Sequence, residues 1–350
     1  MDPESIHTAE RVLHGGESDR DLLDFSANTN PRTPEGVDEV YTAALEESRR
    51  YPDDGYADYR DAAAAFVGCD PERVIPTPGG LAAIRLAMER SLEPGDEALV
   101  PYPSFGEYAR EVRLQGATPR FVRYDDLFEM GPTVLEPCAL AVVCTPNNPT
   151  GEAADPAALE AFADRCAAAD TTLLVDEAFL GYTELPSAAT LERDHVIVAR
   201  SLTKLFGLPG LRAGFAVASG QRRDDLETAR RAWSLGTPAA RVGAHCLRRE
   251  GFVRDTRERV ASERERLRAA LAATFDVRPS DAPYLLCNVG DRDVARVLAD
   301  ARADGVAIRD ATTFRGLDSH VRIAVKDRPS NDRLLAAVGV GDVGGESERE

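Results

Sequence analysis

Lys204 is the residue whose type and position most directly suggest covalent chemistry. The chain of 350 residues contains only two lysines, Lys204 and Lys326, so its other strongly basic side chains are all arginines. Lys204 follows the apolar run 195–199, a pattern typical of a buried strand. An amine forms a Schiff base with an aldehyde, which a guanidinium does not. The position therefore indicates a covalent anchor for an aldehyde. A retained surface lysine is the alternative that this segment alone leaves open.

Two residues near Lys204 in the sequence are suited to bind a phosphate. Ser201 lies three residues before it and Arg212 eight residues after it, and a hydroxyl with a guanidinium fork would bind a phosphate dianion. Pyridoxal 5'-phosphate (PLP) is a cofactor with both an aldehyde and a phosphate, which makes Lys204 a candidate anchor for it. The string at 201–215, S-L-T-K-L-F-G-L-P-G-L-R-A-G-F, resembles the signature of fold-type I PLP enzymes, the aminotransferase class I/II family. The resemblance implies that PLP is the cofactor and that Lys204 carries it.

Asp176 is the candidate partner of the cofactor's ring nitrogen. PLP catalysis spreads carbanion charge into a protonated pyridine ring, so the protein must hold a carboxylate at that nitrogen. Asp176 ends the buried pattern T-L-L-V at 172–175, and the segment 176–178, D-E-A, resembles the corresponding segment of the family. Alone, it would more simply be a strand-ending Asp that starts a turn. Its order before Lys204, which matches the family, favours the role in catalysis.

Asn148 and Phe105 are the next residues that the resemblance assigns to the cofactor. Asn148 lies in T-P-N-N-P-T-G at 145–151, which resembles the family's N-P-x-G motif, and by position it would donate to the cofactor's 3-oxygen. Phe105, in P-S-F-G-E-Y at 103–108, matches the aromatic residue that stacks on the ring. A plain turn and a core Phe are the alternatives for each taken singly.

The phosphate cup and the subunit contact are also implied by the resemblance. A Gly-rich turn that starts a helix can aim backbone N–H groups at a phosphate, and Gly79, Gly80 and Leu81 follow a strand-like segment. Most such turns are only connections, so this signal is weak by itself. Tyr51 matches a tyrosine that family members lend across a dimer to the neighbour's phosphate. That match implies a homodimer.

The substrate side rests on arginines and on the amino-terminal arm. Arg322, on the strand pattern at 320–325, matches the arginine that holds the substrate's α-carboxylate; a lone strand Arg would otherwise be a salt-bridge residue. A phosphorylated amino acid needs a second anion site. The candidates for that site are His14, Gly15, Asn30 and Arg309. Three of them have simpler explanations: His14 as a surface residue, Asn30 as a turn former and Arg309 as an ion-pair partner of Asp310.

Two branches of the family compete, histidinol-phosphate aminotransferase and threonine-phosphate decarboxylase. Several details resemble the decarboxylase: the segments 14–16 and 23–28, Phe105 and Phe179 where the aminotransferase usually has Tyr, and the segments 233–234 and 314–318. Gly236-Thr237-Pro238 and Lys326 depart from that branch. The resemblance implies decarboxylation of O-phospho-L-threonine to 1-amino-2-propanol O-phosphate in cobalamin biosynthesis. Transamination of histidinol phosphate or a related amino acid stays the alternative, and a PLP-binding regulator without turnover is disfavoured because no DNA-binding segment is evident.

Composition excludes several other classes. A net charge of -18 and a pI near 4.8 argue against binding to nucleic acid or to an anionic membrane. Abundant acidic residues with almost no lysine resemble halophilic proteins of a high-salt cytoplasm. The six cysteines are scattered without a C-x-x-C pair, so we expect reduced core thiols and no metal site. Neither a signal peptide nor a membrane-length apolar run is evident, which predicts a cytoplasmic protein.

The pattern of strands and helices that must position these residues predicts an α/β fold. Apolar runs alternate with helical stretches, which predicts a large PLP-binding domain with a mostly parallel sheet between helices. These runs lie at 97–100, 118–122, 139–144, 172–176, 195–199 and 213–217. Ligands of such sheets bind at the carboxyl ends of the strands. A smaller α+β domain is expected from the C-terminal part together with the arm. The expected boundaries are 1–35 for the arm, 36–245 for the large domain, 246–343 for the small domain and 344–350 for a disordered tail.

Overall fold

A computed structural model describes residues 1–7 and 10–339 of the chain. The tail expected at 344–350 and the last part of the small domain, 340–343, lie outside the described residues. In the described ranges, no helix is both long enough and apolar enough to cross a membrane.

Thirteen strands occur in the described chain. They are β1 (Leu23–Asp24), β2 (Val74–Thr77), β3 (Glu97–Tyr102), β4 (Thr118–Arg123), β5 (Cys138–Cys144), β6 (Thr172–Asp176), β7 (Val196–Ser201), β8 (Gly214–Val217), β9 (Asp276–Val277), β10 (Tyr284–Asn288), β11 (Val306–Ala307), β12 (Arg309–Asp310) and β13 (His320–Ala324).

Twelve α-helices occur in the same ranges. They are α1 (Val37–Glu47), α2 (Ala57–Val67), α3 (Gly80–Ser91), α4 (Glu107–Leu114), α5 (Tyr124–Leu127), α6 (Pro132–Leu135), α7 (Pro156–Ala168), α8 (Gly220–Ala229), α9 (Thr237–Leu247), α10 (Glu250–Leu271), α11 (Val294–Ala303) and α12 (Arg328–Ala337). Short 3-10 helices lie at Ser5–His7, Pro71–Arg73, Leu180–Tyr182, Ala188–Leu191 and Pro209–Leu211.

A seven-stranded sheet forms the centre of the large part of the molecule. Its strand order is β2-β8-β7-β6-β5-β3-β4, and every pair from β7 to β4 is parallel. The predicted mostly parallel sheet is therefore confirmed. The exception is β8, which runs antiparallel to both β7 and β2. No long helix separates β7 from β8, so the chain returns directly in the opposite direction.

Helices cover both faces of this sheet. Leu99 and Val100 are adjacent on β3 and both are buried, but they belong to different hydrophobic clusters. Successive strand residues point to opposite faces, so each face needs its own cover. Met88 of α3 packs in one cluster and Phe162 of α7 in the other. This burial on both faces explains why the strands are continuous apolar runs in the sequence.

A smaller antiparallel sheet lies towards the C-terminus, with the order β12-β13-β10-β9. The arm joins this side of the molecule because β1 pairs in parallel with β11. Phe25, directly after β1, accepts a backbone hydrogen bond from Ala324 and donates one to Ala307. The expected fold class, with a large parallel-sheet part and a small α+β part that includes the arm, is confirmed.

The carboxyl ends of three central strands meet at one edge of the large sheet. Cys144 at the end of β5 pairs in register with Asp176 at the end of β6, and Asp176 in turn pairs with Ala199 of β7. The segments that follow these strands carry Asn148 and Lys204. This edge is therefore where the candidate site must lie.

Candidate active site

A cavity of about 750 Å³ lies at this edge, and most of the residues predicted from the sequence line it. Those residues are His14, Gly15, Gly80, Leu81, Phe105, Asn148, Asp176, Ser201, Lys204, Arg212, Arg309 and Arg322. They come from the arm, from the edge of the large sheet and from the small sheet. The structure thus brings together residues that are far apart in the sequence.

Three predicted residues do not line this cavity. Gly79 lies behind it, where an added Cβ would stand 2.8 Å from Arg212 Nη2. Asn30 is buried, and its side chain is already bonded at both ends: its amide donates to Leu205 O and its oxygen accepts from Arg259. Tyr51 is 79% exposed on a different surface.

Lys204 lies just after β7 on a well-anchored turn. Its carbonyl oxygen accepts from the Tyr182 hydroxyl (2.8 Å) and from the backbone N–H of Asn30 (3.1 Å). Burial, followed by the charges of Arg322 and Arg212, lowers the pKa of its amine to about 8. A much larger share of the amine is then neutral near pH 7 than for an exposed lysine, and the neutral amine is the nucleophile.

Asp176 is held by two hydrogen bonds at the end of β6. Its Oδ2 accepts from the Tyr108 hydroxyl at 2.6 Å, and its Oδ1 accepts from the backbone N–H of Ala178 at 3.0 Å. The residue is only 4% exposed. Burial raises the pKa of this carboxyl, and both hydrogen bonds act in the opposite direction. The site therefore contains a deeply placed carboxyl whose charge depends on its donors.

Arg322 is the most deeply buried cation in the cavity, at 4% exposed. It donates to Asn148 Oδ1 and to the carbonyl oxygen of Ser26, and its guanidinium lies 5.2 Å from the centroid of the Tyr284 ring. Burial lowers its pKa to about 10, so it stays charged at neutral pH. In the described part of the chain its Nε has no hydrogen-bond partner.

Arg309 lies directly opposite Arg322, because the two residues are paired in register between β12 and β13. Both guanidinium groups approach the Phe314 ring, at 5.8 and 5.7 Å. Arg309 donates to Leu13 O (2.7 Å) and to Thr313 Oγ1 (2.9 Å). Within residues 1–7 and 10–339, neither arginine takes part in a salt bridge. The alternative of an Arg309–Asp310 ion pair is thus not seen there.

The turn into α3 forms a tight cradle. Gly79 has a φ of 96°, a backbone conformation that residues with a Cβ seldom adopt. A Cβ on Gly80 would stand 3.0 Å from that of Ser201. The helix N-terminus, the Ser201 hydroxyl and the nearby guanidinium of Arg212 are together the donor set that a phosphate monoester requires. The residues present therefore fit the phosphate of PLP.

The arm covers the opposite side of the cavity. His14 Nε2 lies 3.0 Å from Glu107 Oε1, and the His14 ring lies 5.6 Å from that of Phe105. Gly15 approaches the backbone of Ser26 so closely that an added Cβ would stand 2.2 Å from its carbonyl oxygen. Close packing of the arm at this point requires a residue without a side chain.

Sequence reasoning missed Tyr108, Asn28 and Arg113, which also line the cavity. Tyr108 had a usable signal, since it belongs to the same short segment, 103–108, as Phe105. Asn28 has a buried Oδ1 without a partner in the described chain. Asn28 lies in the segment 23–28, in which the sequence shows only a resemblance to the decarboxylase, and Arg113 has no signal in the sequence, because each enters the cavity only through the tertiary packing.

The sequence matches the family described as "Aminotransferase class I and II" over residues 20–338. The chain belongs to this family, whose members of this fold type are PLP enzymes, and its cofactor is PLP. Lys204, Asp176 and the cradle at the start of α3 offer the amine, the carboxylate and the phosphate donors that this cofactor needs.

Two similar curated relatives carry the names of the two branches. The threonine-phosphate decarboxylase of Salmonella typhimurium is 33% identical, covering 95% of this chain and 94% of the relative. The histidinol-phosphate aminotransferase 2 of Archaeoglobus fulgidus is 32% identical, covering 91% of this chain and 93% of the relative. The chain is therefore similar to both branches at nearly equal identity.

Solved structures show the same fold. The histidinol-phosphate aminotransferase of Sinorhizobium meliloti in complex with pyridoxal-5'-phosphate has a TM-score of 0.81 at 20% identity, with 89% of this chain and 88% of that chain covered. The L-threonine-O-3-phosphate decarboxylase of Porphyromonas gingivalis has a TM-score of 0.80 at 22% identity, with 90% of this chain and 97% of that chain covered.

Proposed function

We propose that this PLP enzyme decarboxylates O-phospho-L-threonine to 1-amino-2-propanol O-phosphate and CO2, as a step of cobalamin biosynthesis. The observation that carries the proposal is the pairing of Arg309 with Arg322 across two strands. Like charges directly opposite each other in a sheet are destabilising. Two such arginines facing one cavity, bonded only to uncharged oxygens, are suited to a substrate with two anionic groups.

O-Phospho-L-threonine meets this requirement in one molecule, since it carries a carboxylate and a phosphate close together. Arg322 would bind the carboxylate through its guanidinium fork, and Arg309 would bind the phosphate. His14 and the backbone at Gly15 lie on the same side of the cavity and would complete the phosphate site. Asn30 would act indirectly by holding the Lys204 turn, because its backbone N–H donates to Lys204 O and its side-chain amide donates to Leu205 O.

The remaining residues would hold the cofactor. Asp176 would face the ring nitrogen, Phe105 would stack on the ring and Asn148 would donate to the 3-oxygen. Lys204 would carry the cofactor covalently. The phosphate would be bound by a group of donors on two neighbouring turns. They are Gly79, Gly80, Leu81, Ser201 and Arg212.

The reaction requires one bond at Cα to be aligned and one proton to be delivered. PLP supplies the electron sink for the pair released at Cα. Two arginines that hold both ends of the substrate would fix rotation about its N–Cα bond, so the Cα–carboxylate bond can be the aligned one. That bond breaks, CO2 leaves without the electron pair, and Cα takes up a proton. Lys204 Nζ, with a pKa near 8, is suited to supply this proton.

A homodimer is the second part of the proposal. Tyr51 is 79% exposed and its ring stacks on that of Trp233 at 4.5 Å. Tyr41 and Leu45, one turn apart on α1, are also exposed apolar residues. Aromatic residues of this kind are enriched where subunits meet. Tyr51 would then reach the phosphate bound by the neighbouring subunit.

Transamination of histidinol phosphate is the alternative, because the identity to an aminotransferase of that name is nearly equal to the identity to the decarboxylase. The two substrates differ chemically. Histidinol phosphate has no carboxylate, so its phosphate would be the only anionic group that Arg322 and Arg309 could bind in that half-reaction. Phe179, which lines the cavity, also lacks the phenol that the aminotransferases usually have at this position.

A product assay separates the two functions. The protein and PLP are incubated with O-phospho-L-threonine, and separately with histidinol phosphate and 2-oxoglutarate. We expect CO2 and aminopropanol phosphate from the first mixture without any oxo acid. Glutamate from the second mixture, with no CO2 from the first, would overturn the decarboxylase proposal in favour of the aminotransferase.

A further inference from the structure

Tyr108 is a fully buried tyrosine on α4 whose hydroxyl donates to Asp176 Oδ2 at 2.6 Å. Its ring packs edge-on against Phe105, with centroids 5.6 Å apart and planes at 85°. A buried ring held in this way cannot turn its hydroxyl elsewhere without disturbing Phe105. The hydrogen bond is therefore a fixed part of the cavity wall.

We propose that Tyr108 is a positioning residue that keeps Asp176 ionised and oriented towards the cavity. The proposal rests on the role proposed above for Asp176 at the cofactor's ring nitrogen. A carboxyl at 4% exposure is strongly disfavoured in its charged form. Hydrogen bonds to the charged form offset that penalty, and Tyr108 is one of only two donors to this carboxylate in the described part of the chain.

The charged groups around Asp176 do not replace this donor. Glu177 raises the pKa of Asp176 and Arg200 lowers it, but these two are paired with each other at 2.9 Å, so their fields largely cancel. The other titratable groups that face Asp176 are Cys144 at the end of β5, Lys204 after β7 and Tyr284 on β10.

Tyr108 stays a donor at every pH that the protein would meet. Burial, followed by the charge of Asp176, raises the pKa of its phenol well above the usual value. The second donor, the backbone N–H of Ala178, binds the other oxygen, Oδ1. In the described part of the chain, Tyr108 is therefore the single hydrogen-bond donor to Oδ2. Removing its hydroxyl would leave this buried carboxylate oxygen without a donor from the protein.

The test compares Tyr108→Phe with Tyr124→Phe. Tyr124 is a similarly buried tyrosine near the same edge of the sheet, but its hydroxyl donates to the carbonyl oxygen of Cys144, at the end of β5, and not to Asp176. Carboxyl carbon signals are followed by NMR against pH in the full chain, with PLP bound and after its removal. The Asp176 signal is assigned by its absence in Asp176→Asn. We expect Tyr108→Phe to raise the Asp176 midpoint by roughly one pH unit, the change for one lost hydrogen bond to a carboxylate.

The control variant should leave the midpoint within about a quarter of that change. An unchanged midpoint in Tyr108→Phe, or an equal rise in both variants, would overturn the proposal. If Tyr108→Phe does not fold, 3-fluorotyrosine at position 108 gives the opposite signal, because a more acidic phenol is a stronger donor and should lower the midpoint. A midpoint that does not fall would then count against the proposal.

The readout is independent of the reaction catalysed. It measures protonation of Asp176 directly, so an aminotransferase would give the same titration as a decarboxylase. If Asp176→Asn proves fully active, the proposed role of Asp176 fails while the titration of Tyr108→Phe can still show the expected rise. The two failures are therefore distinguishable.

Discussion

The cavity has two halves that are built in different ways. The half proposed to hold the cofactor, called here the cofactor half, lies at the ends of β6 and β7, where Asp176 and the Lys204 turn are held by specific hydrogen bonds from neighbouring elements. The half proposed to bind the substrate, called here the substrate half, is assembled from the arm and the small sheet, with His14, Arg309 and Arg322 coming from opposite ends of the sequence. One half is set by a single continuous sheet, and the other by the docking of three segments.

The two halves also differ in charge. The cofactor half pairs a buried carboxylate with neutral donors, so its charge depends on hydrogen bonds. The substrate half sets Arg309 against Arg322 across the strands, and neither has a carboxylate partner in the described ranges. A preformed geometry suits a cofactor that stays bound, whereas unpaired positive charge suits anions that come and go. Changes in the first half should therefore act on the chemical step, and changes in the second on substrate binding.

Lys204→Ala should have the largest effect, because it removes both the covalent anchor and the proposed proton donor. We expect the variant to lose borohydride-fixed PLP and its activity to fall by about a hundredfold to ten-thousandfold. Mass spectrometry of the reduced protein and a CO2 assay measure the two effects. Lys326→Ala is the matched control, since it removes the other lysine of the chain. A reducible covalent adduct that persists in Lys204→Ala would refute the assignment.

Asp176→Asn should keep much of the cofactor but slow the reaction. An amide cannot stabilise a protonated ring nitrogen as a carboxylate does, and this should cost on the order of a few kcal/mol, or roughly a hundredfold in kcat. The change should appear in kcat rather than in KM for the substrate, as expected for the cofactor half. Activity within about threefold of the unmodified protein would contradict the role.

The pH dependence of cofactor attachment gives a third test of the cofactor half. Because the pKa of the Lys204 amine is lowered to about 8, its neutral fraction should rise about tenfold per pH unit up to that value and then level off. Stopped-flow absorbance of cofactor-free protein mixed with PLP measures the rate. A rate that keeps rising towards pH 10, as for an exposed lysine, would show that the amine is not buried as described.

Arg309→Gln tests the substrate half. Removing one charged donor to a phosphate should raise KM for O-phospho-L-threonine by about tenfold to a hundredfold with a smaller change in kcat. Arg315→Gln is the control: Arg315 is an exposed arginine that stacks on Phe121 at 4.0 Å and does not line the cavity. Equal KM changes in both variants would mean that substrate binding depends on the overall positive charge and not on a specific contact of Arg309.

The sequence predicts the cofactor half better than the substrate half. Asp176 ends a strand, and Lys204 and Asn148 lie in the turns that follow two neighbouring strands, so local patterns and the family resemblance are enough to predict that all three lie at one sheet edge. The sequence could not show that Arg309 and Arg322 are opposite each other, because strand register is set by tertiary pairing. The sequence predicts Asn30 at the substrate, but its side chain is buried against the Lys204 turn. The residues next to Asn30 in the sequence do not indicate that Arg259 donates to its side-chain oxygen.

Tyr51→Phe should have the smallest effect, and only if the neighbouring subunit completes the cofactor half. Loss of one hydroxyl donor to the phosphate should weaken PLP retention by about threefold to tenfold. Tyr41→Phe is the control, because Tyr41 is another exposed tyrosine, on α1. Retention is measured as the PLP left after dialysis, and sedimentation in high salt gives the oligomeric state.

Mixed subunits make this last prediction decisive. In a hybrid of Tyr51→Phe with Lys204→Ala, one of the two sites would take Lys204 from the first subunit and Tyr51 from the second, so it would be complete. Retention at that site should therefore return to the level of the unmodified protein, which a purely structural effect of Tyr51 within its own subunit would not allow. A fully active monomer, or a hybrid that retains PLP no better than Tyr51→Phe alone, would show that the cofactor half is complete within one chain.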